Sequence, residues 1–210
     1  MSGPQRLLMA GGGGPSTITI TDSFDRADNA SVIGNTDTGQ AWTIPFGGTW
    51  GIISNEAYQS ANAGGGGNKA PAILIDSTKS NIDLSVNVTT QQTGNSVGAG
   101  LIFRYLDGSN YWLWYFYRGG GGGASWYLQK DGGATTIASG SVTNMVGTLR
   151  VVDNGVNSIT VYLDGVSKAT SSDTYQAGKT TQGIIMFYTS AGGANSGTGW
   201  RFNNYSLVGT

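Results

Sequence analysis

The stretch that decides the fold is Val97 to Arg118, which reads VGAGLIFRYLDGSNYWLWYFYR. Its first half alternates residue by residue between two sets, Val97, Ala99, Leu101, Phe103 and Tyr105 against Gly98, Gly100, Ile102 and Arg104. A period of two is that of a β-strand. The LDGSN segment that follows is rich in turn residues, so the stretch predicts two long strands joined by a tight turn.

The return strand, Tyr111 to Tyr117, is aromatic on both of its faces. One face carries Tyr111, Leu113, Tyr115 and Tyr117, and the other carries Trp112, Trp114 and Phe116. Such a strand cannot leave a whole face in open water, so we expect it to lie at the centre of a sheet. We expect the tryptophan face to be core, because tyrosine hydroxyls favour a wet boundary.

Shorter strand patterns continue on both sides of this hairpin and are separated by turns rich in Gly, Asp and Asn. No ten-residue segment has helical periodicity. Strands spaced about 8–12 residues apart with such turns are typical of two-sheet β proteins. The sequence therefore predicts an all-β, antiparallel two-sheet jelly-roll sandwich over residues 17–210.

The composition excludes whole classes of function. The chain has 11 Lys and Arg residues against 12 Asp and Glu, a formal charge of -1, which gives no electrostatic footprint for nucleic acid. It has no His and no Cys, so imidazole-based zinc sites and all Ser-His or Cys-His mechanisms are excluded. No apolar run reaches the ~20 residues that a membrane span needs, and we expect no secretory signal peptide.

The N-terminal segment 1–16, MSGPQRLLMAGGGGPS, combines one apolar cluster with a glycine spacer. A disordered tail is one interpretation of this composition. The other is a docking peptide, in which Leu7, Leu8 and Met9 fill a pocket on a partner protein while the glycines give slack. We predict the second arrangement, with segment 1–16 preceding a sandwich domain of residues 17–210.

Seven short motifs stand in an order and spacing that resemble the concanavalin A-like, laminin-G-like jelly rolls. They are Asp22 to Arg26, Gly48 to Trp50, Gly100 to Arg104, Asn110 to Trp112, Leu149 to Val151, Ile159 to Gly165 and Arg201 to Tyr205. The resemblance covers residues 17–210 and implies the same fold. That fold hosts lectins, glycanases and structural modules, so it leaves the function open.

The DSFDRAD segment together with the glycine-spaced N-terminal peptide resembles virion proteins of tailed bacteriophages. This resemblance implies a minor tail or capsid decoration protein on the virion surface. It would be present as a homo-oligomer or in multiple copies on a lattice, held by other virion proteins through the N-terminal peptide, and it would contact a host cell-surface glycan. A free carbohydrate-binding module or lectin is the alternative.

Catalysis is not expected from the acidic residues. Glycoside hydrolysis needs two carboxylates that flank the scissile bond. The glycanases that this fold resembles carry them on one strand as Glu-x-Asp-x-x-Glu, whereas this chain has a single Glu, Glu56, and places most Asp residues in turns. We predict a protein that is not an enzyme.

The jelly-roll resemblance also implies a structural Ca²⁺ held by loop and strand oxygens. Asp22, Asp25 and Asp28 form the densest acidic cluster, and Asn203 stands where related domains tend to carry an Asp. Asp22, Asp25 and Asn203 are therefore the candidate ligands. The simpler interpretation is a capped turn after the first strand, since short acidic side chains bond their own backbone.

Ligand-binding candidates come from the aromatic hairpin and the strand after it. Sugars stack their apolar faces on aromatic rings, while Arg, Asn and Asp bond the hydroxyls. The candidates are Arg104, Tyr115, Tyr117, Arg118, Trp126 and Tyr127. The same face would otherwise bind a neighbouring protein chain.

Overall fold

A computed structural model describes residues 16–46, 48–61, 70–92, 96–188 and 199–210. Within these ranges the chain forms fourteen β-strands, and its helical structure is limited to a three-residue 3-10 turn at Asp131–Gly133. The strands are β1 (Ile18–Asp22), β2 (Thr49–Ile53), β3 (Glu56–Ala61), β4 (Ala72–Asp76), β5 (Asn81–Thr90), β6 (Val97–Asp107), β7 (Asn110–Arg118), β8 (Ala124–Lys130), β9 (Thr135–Ser141), β10 (Gly147–Asn154), β11 (Ile159–Leu163), β12 (Val166–Ser171), β13 (Thr181–Tyr188) and β14 (Arg201–Gly209).

These strands form two antiparallel sheets. A six-stranded sheet has the order β4-β13-β6-β7-β8-β9, and an eight-stranded sheet has the order β12-β11-β10-β5-β14-β3-β2, with β1 paired to β14. Strands β5 and β10 of the second sheet lie over β6 and β7 of the first. The predicted all-β two-sheet jelly roll is confirmed, as is the central position of the aromatic hairpin β6–β7.

The main core lies between the sheets and takes one face of each strand. Strand β7 contributes Trp112, Trp114 and Phe116, all of them fully buried. Strand β5 contributes its alternate residues Leu84 and Val86 from the opposite sheet. The prediction that the tryptophan face of β7 is core is therefore correct, and its tyrosine face points away from the second sheet.

Strict alternation in β6 ends at Arg104, where the pairing with β7 shifts register. Arg104 adopts a positive φ of 47°, a bulge conformation after which the side chains that would point outward point inward, and the reverse. As a result Arg104 turns into the interior beside Phe103, while Tyr105 emerges on the tyrosine face. The prediction that Arg104 lies on a solvent-facing contact surface was therefore wrong. It assumed strict inward-outward alternation along β6, and the bulge at Arg104 breaks that alternation.

The buried Arg104 guanidinium is fully occupied by the protein. Its Nε and Nη2 donate to the two carboxylate oxygens of Asp153 at 2.7 Å each. Its remaining donors reach the backbone carbonyls of Asp173, Tyr175 and Val156 at 3.1–3.3 Å. Arg104 thus ties the β10–β11 and β12–β13 loops to β6.

The predicted docking residues Leu7, Leu8 and Met9 lie outside the described residues, as do the glycine blocks at 11–14 and 64–67. The division into a 1–16 peptide and a 17–210 domain stays a prediction. Among the residues that the structure describes, no helix has the length and apolar character to cross a membrane.

Candidate functional site

The tyrosine side of the six-stranded sheet, which we call the outer face, is built from three cross-strand rows. The central row runs Ala72, Ile185, Gly100, Tyr115, Tyr127, Ser139. The flanking rows run Phe187, Gly98, Tyr117, Ser125, Ser141 and Leu74, Gly183, Ile102, Leu113, Gln129, Thr136. None of the residues in these three rows is charged, and the row beyond Leu74 adds the exposed Asp76 of β4.

One aromatic group on the outer face is centred on Tyr115. The Tyr115 ring centroid lies 4.8 Å from that of Phe187, 5.7 Å from that of Tyr127 and 6.3 Å from that of Tyr117. The Tyr117 and Tyr127 rings are in turn 6.1 Å apart in an edge-on arrangement. We call Tyr115, Tyr117, Tyr127 and Phe187 the central group.

A second aromatic group lies toward the turn end of the hairpin and consists of Phe46, Tyr105 and Tyr111, here called the turn group. Its ring centroids are separated by 5.8 Å between Phe46 and Tyr105, 6.1 Å between Tyr105 and Tyr111, and 6.4 Å between Phe46 and Tyr111. Burial raises the pKa values of Tyr105 and Tyr111 above the usual tyrosine value.

The outer face is layered, with small and aliphatic residues beneath and large rings above. Ile102, Leu113 and Ile185 are fully buried, and Tyr115 is only 7% exposed. The rings packed over them stay partly exposed and belong to Phe46, Tyr105, Tyr117, Tyr127 and Phe187. These five rings are the apolar part of the surface that a ligand would meet.

Two glycines of β6 let the rings of the central group lie close to the sheet. A Cβ on Gly100 would stand 2.3 Å from the backbone oxygen of Trp114 and 2.5 Å from Tyr115 Cα. A Cβ on Gly98 would stand 3.2 Å from the Tyr117 ring and 3.3 Å from the Phe187 ring. Any side chain at these positions would push the central group out of place.

A polar edge borders the central group on its β8–β9 side. The Tyr115 hydroxyl donates to Gln129 Oε1 at 2.6 Å, and Gln129 Nε2 donates to Thr136 Oγ1 at 2.8 Å. Thr136 and Ser139 are exposed. Burial, followed by the neighbouring phenols Tyr127, Tyr117 and Tyr111, raises the pKa of Tyr115 well above its usual value, so its hydroxyl stays a neutral donor.

The sequence-predicted binding residues fall into three places. Tyr115, Tyr117 and Tyr127 come together in the central group. Trp126 lies on the opposite side of the sheet, packs on the main core and stands edge-on to Trp114 at 5.4 Å. Arg118 pairs with the core residue Val97, two positions beyond Phe116, and so also belongs to the core-facing side of β7.

The prediction that Trp126 and Arg118 share a site with the tyrosines was therefore wrong, because successive residues of a strand point to opposite faces. The same prediction was wrong for Arg104, which is buried. The residues that sequence reasoning missed are Phe46, Tyr105, Phe187 and Gln129. Phe187 could have been found from the alternation of its own strand, whereas Phe46 reaches the sheet from a loop.

Asp22 does not fit the predicted calcium site. Its Oδ1 accepts from Phe24 N and Arg26 Nη1, both at 2.9 Å, and its Oδ2 accepts from Arg26 Nη2 and Trp42 Nε1, both at 2.8 Å. Four donors occupy the lone pairs of one buried carboxylate, so none is left for a cation. The DSFDR segment is thus a capped turn that fixes the following loop to β1.

The other proposed calcium ligands do not complete a site. The Asn203 amide oxygen accepts from the backbone N–H of Asn204 at 2.6 Å, one residue along β14. Within the described ranges no group of three or more His, Cys, Asp or Glu residues is placed to hold a metal ion. We therefore correct the assignment of Asp22, Asp25 and Asn203 as a ligand set.

Several carboxylates of the chain accept hydrogen bonds from backbone N–H groups or pair with Arg and Lys side chains. Asp83 pairs with Arg150, and Asp173 pairs with Lys130. The single glutamate, Glu56, accepts a hydrogen bond from the Thr89 hydroxyl, and both residues lie in the eight-stranded sheet. No carboxylate lies in the three rows of the outer face.

Comparison with known proteins finds solved structures with a similar fold. No protein-family model matches the chain, and no curated protein matches its sequence. The carbohydrate binding module CBM66 from Bacillus subtilis is similar with a TM-score of 0.50 and 15% identity, over 81% of this chain and 93% of that one. The CBM2 module of the evolved Dit of Lactobacillus casei BL23 phage J-1 gives a TM-score of 0.54 and 10% identity, over 92% and 97%.

Enzymes share the same architecture. The kappa-carrageenase from Pseudoalteromonas carrageenovora, solved with an oligotetrasaccharide of kappa-carrageenan, gives a TM-score of 0.54 and 12% identity, over 96% of this chain and 98% of that one. At such identities the likeness concerns the fold alone, and the function has to be argued from the site. This chain is an all-β jelly-roll sandwich of the concanavalin A-like kind.

Proposed function

We propose that the chain is a non-catalytic carbohydrate-binding module and that the outer face of its six-stranded sheet is the binding surface. The observation that supports the proposal most directly is the set of five partly exposed rings beside three rows of uncharged residues. Such rings offer stacking partners to the apolar faces of sugars. Two of the structural neighbours are themselves carbohydrate-binding modules, which supports the same choice.

The polar edge gives the surface the second component that sugar binding needs. Gln129 uses its amide oxygen and one N–H within the Tyr115–Gln129–Thr136 chain, which leaves its second N–H for a ligand. The Thr136 and Ser139 hydroxyls are exposed beside it. Rings on one side and neutral donors on the other suit a polyhydroxylated ligand better than a protein chain with charged residues.

The experiment is a glycan array followed by calorimetric titration of every positive glycan. Tyr117→Ala and Tyr127→Ala each remove an exposed ring, and we expect each to weaken binding about tenfold or more. Tyr162→Ala is the matched control, since Tyr162 is a partly exposed tyrosine on the outside of the eight-stranded sheet. Absence of saturable binding, or equal affinity in all variants, would overturn the proposal.

The second candidate function is display of this module on a bacteriophage virion, as a minor tail or capsid decoration protein. The phage Dit module among the structural neighbours and the glycine-spaced segment 1–16 favour it. In this proposal Leu7, Leu8 and Met9 dock into another virion protein and the sandwich contacts a host-surface glycan. Deletion of residues 1–14 is expected to abolish incorporation into particles while the sandwich stays folded; unchanged incorporation would refute it.

A further inference from the structure

The two aromatic groups of the outer face are arranged along one strand. Tyr111 of the turn group and Tyr115 of the central group are four residues apart on β7, which corresponds to about 13 Å along an extended chain. Tyr117 extends the line to about 20 Å from Tyr111. This distance is much longer than one sugar ring, so one monosaccharide cannot contact both groups.

Among the described residues, the row between the two groups is buried where it crosses β13, β6 and β7. That row contributes Gly183, Ile102 and Leu113 at this point, and all three are buried. On the β8–β9 side the 3-10 turn borders this row, where a Cβ on Gly133 would stand 3.5 Å from Leu113 Cδ1. On β13, β6 and β7 themselves, no exposed side chain of this row stands between the turn group and the central group. A surface of this form accommodates the interior of a chain as readily as its end.

The outer face is also asymmetric across its width. On the β13 side the central group ends in its own Phe187, next to Ile185, and both residues are apolar. On the β8–β9 side it is bordered by Gln129, Thr136 and Ser139. A ligand that lies along β7 therefore meets hydrogen-bonding groups along one edge and apolar groups along the other.

We propose that the ligand is a neutral glycan chain, bound through its interior along β7, that contacts the turn group and the central group together and turns its hydroxyl-rich edge toward β9. This inference rests on the proposed function. The three rows offer no charge that would offset the desolvation of a charged glycan, and Asp107 beside Tyr105 of the turn group would repel an anionic one. The requirement for a chain follows from the separation of the two groups.

Isothermal titration with oligosaccharides of increasing length tests the inference. The probes are the neutral cello-, xylo- and manno-oligosaccharide series, each from the monosaccharide upward, and oligogalacturonides of the same lengths as the charged comparison. We expect affinity for a neutral series to rise about tenfold or more once the chain spans both groups. In Phe46→Ala that rise is expected to disappear, whereas Tyr127→Ala is expected to weaken short and long chains alike.

Tyr162→Ala on the other sheet is the control for both variants, and thermal unfolding verifies that each variant is folded. Preference for oligogalacturonides, or a monosaccharide that binds as tightly as its longest oligomer, would overturn the inference while leaving carbohydrate binding intact. A length dependence that survives Phe46→Ala would overturn the two-group arrangement. Absence of binding to every sugar, on the array as well, would overturn the proposed function itself.

Discussion

Two arginines of this chain make nearly the same ion pair in opposite surroundings, which allows the cost of burial to be measured. Arg104 forks onto Asp153 with both contacts at 2.7 Å, and the two side chains are 1% and 0% exposed. Arg150 forks onto Asp83 with contacts of 2.7 and 2.6 Å, and these side chains are 41% and 43% exposed. The two ion pairs have nearly the same geometry but differ in their exposure to solvent.

Replacement of each arginine by methionine keeps most of the aliphatic stem and removes the guanidinium. Arg104→Met leaves the Asp153 carboxylate buried without its counter-charge, and we expect a loss of about 3–5 kcal/mol in the free energy of unfolding. Arg150→Met leaves Asp83 in contact with water, and we expect about 0.2–1 kcal/mol. For a chain of this size the first loss corresponds to a fall of roughly 6–20 °C in Tm.

Urea denaturation followed by tryptophan fluorescence measures both losses, since Trp112 and Trp114 lie in the core beside the ion pair's strand. The slope of the transition should stay the same in both variants. A difference of less than about 1 kcal/mol between the variants, or a larger loss for Arg150→Met, would refute the buried-pair reasoning.

Three further predictions concern the sheet, the phenols and calcium. Gly100→Ala should cost about 1–3 kcal/mol in urea denaturation, because its Cβ would stand 2.3 Å from the Trp114 oxygen, whereas Gly121→Ala, with nothing within 4 Å, should change stability by less than about 0.5 kcal/mol. Because the pKa of Tyr115 is raised in the folded protein, this phenol ionises first in the unfolded chain, above about pH 10. The free energy of unfolding should therefore fall as pH rises from about 9 to about 11, and this fall should be smaller in Tyr115→Phe. A drop as large in that variant would refute this assignment. Added Ca²⁺ should leave Tm unchanged, because Asp22 already accepts four hydrogen bonds; a rise would restore the calcium hypothesis.

The alternation of polar and apolar residues was enough to predict the fold class and the orientation of β7. Every second residue of a strand points the same way, so Trp112, Trp114 and Phe116 share one face, and the preference of tyrosine hydroxyls for a wet boundary assigns that face to the core. The same rule, applied consistently, would also have separated Arg118 from Tyr117. The candidate binding residues came from both faces of the sheet because they were chosen by residue type, without asking which face each residue occupies.

The bulge at Arg104 is the point where the sequence pattern fails. Arg104 and Tyr105 exchange sides because one residue adopts a positive φ, and an arginine at that position carries no local signal for it. The reason is tertiary: Asp153, on a strand of the other sheet, needs a buried partner. An energy that comes from a contact 49 residues away cannot be read from a local period.

Loop contributions to the outer face were equally outside the reach of the sequence pattern. Phe46 belongs to no strand and reaches Tyr105 and Tyr111 from the segment before β2. The nearby backbone is held by two backbone hydrogen bonds between Thr43 and Leu74 on β4, and the Thr43 hydroxyl adds a third to the Leu74 carbonyl. Those long-range bonds place Phe46, and they become visible only when both segments are seen together.

Hydroxyl-radical footprinting, read by mass spectrometry with and without a saturating neutral oligosaccharide, tests most directly where the ligand binds. The partly exposed tyrosines of the two sheets serve as internal probes. We expect the glycan to protect Tyr117 and Tyr127 of the central group and to leave Tyr162 on the eight-stranded sheet as reactive as before. Protection of Tyr162 or Trp126, with Tyr117 and Tyr127 unprotected, would contradict a binding surface on the outer face.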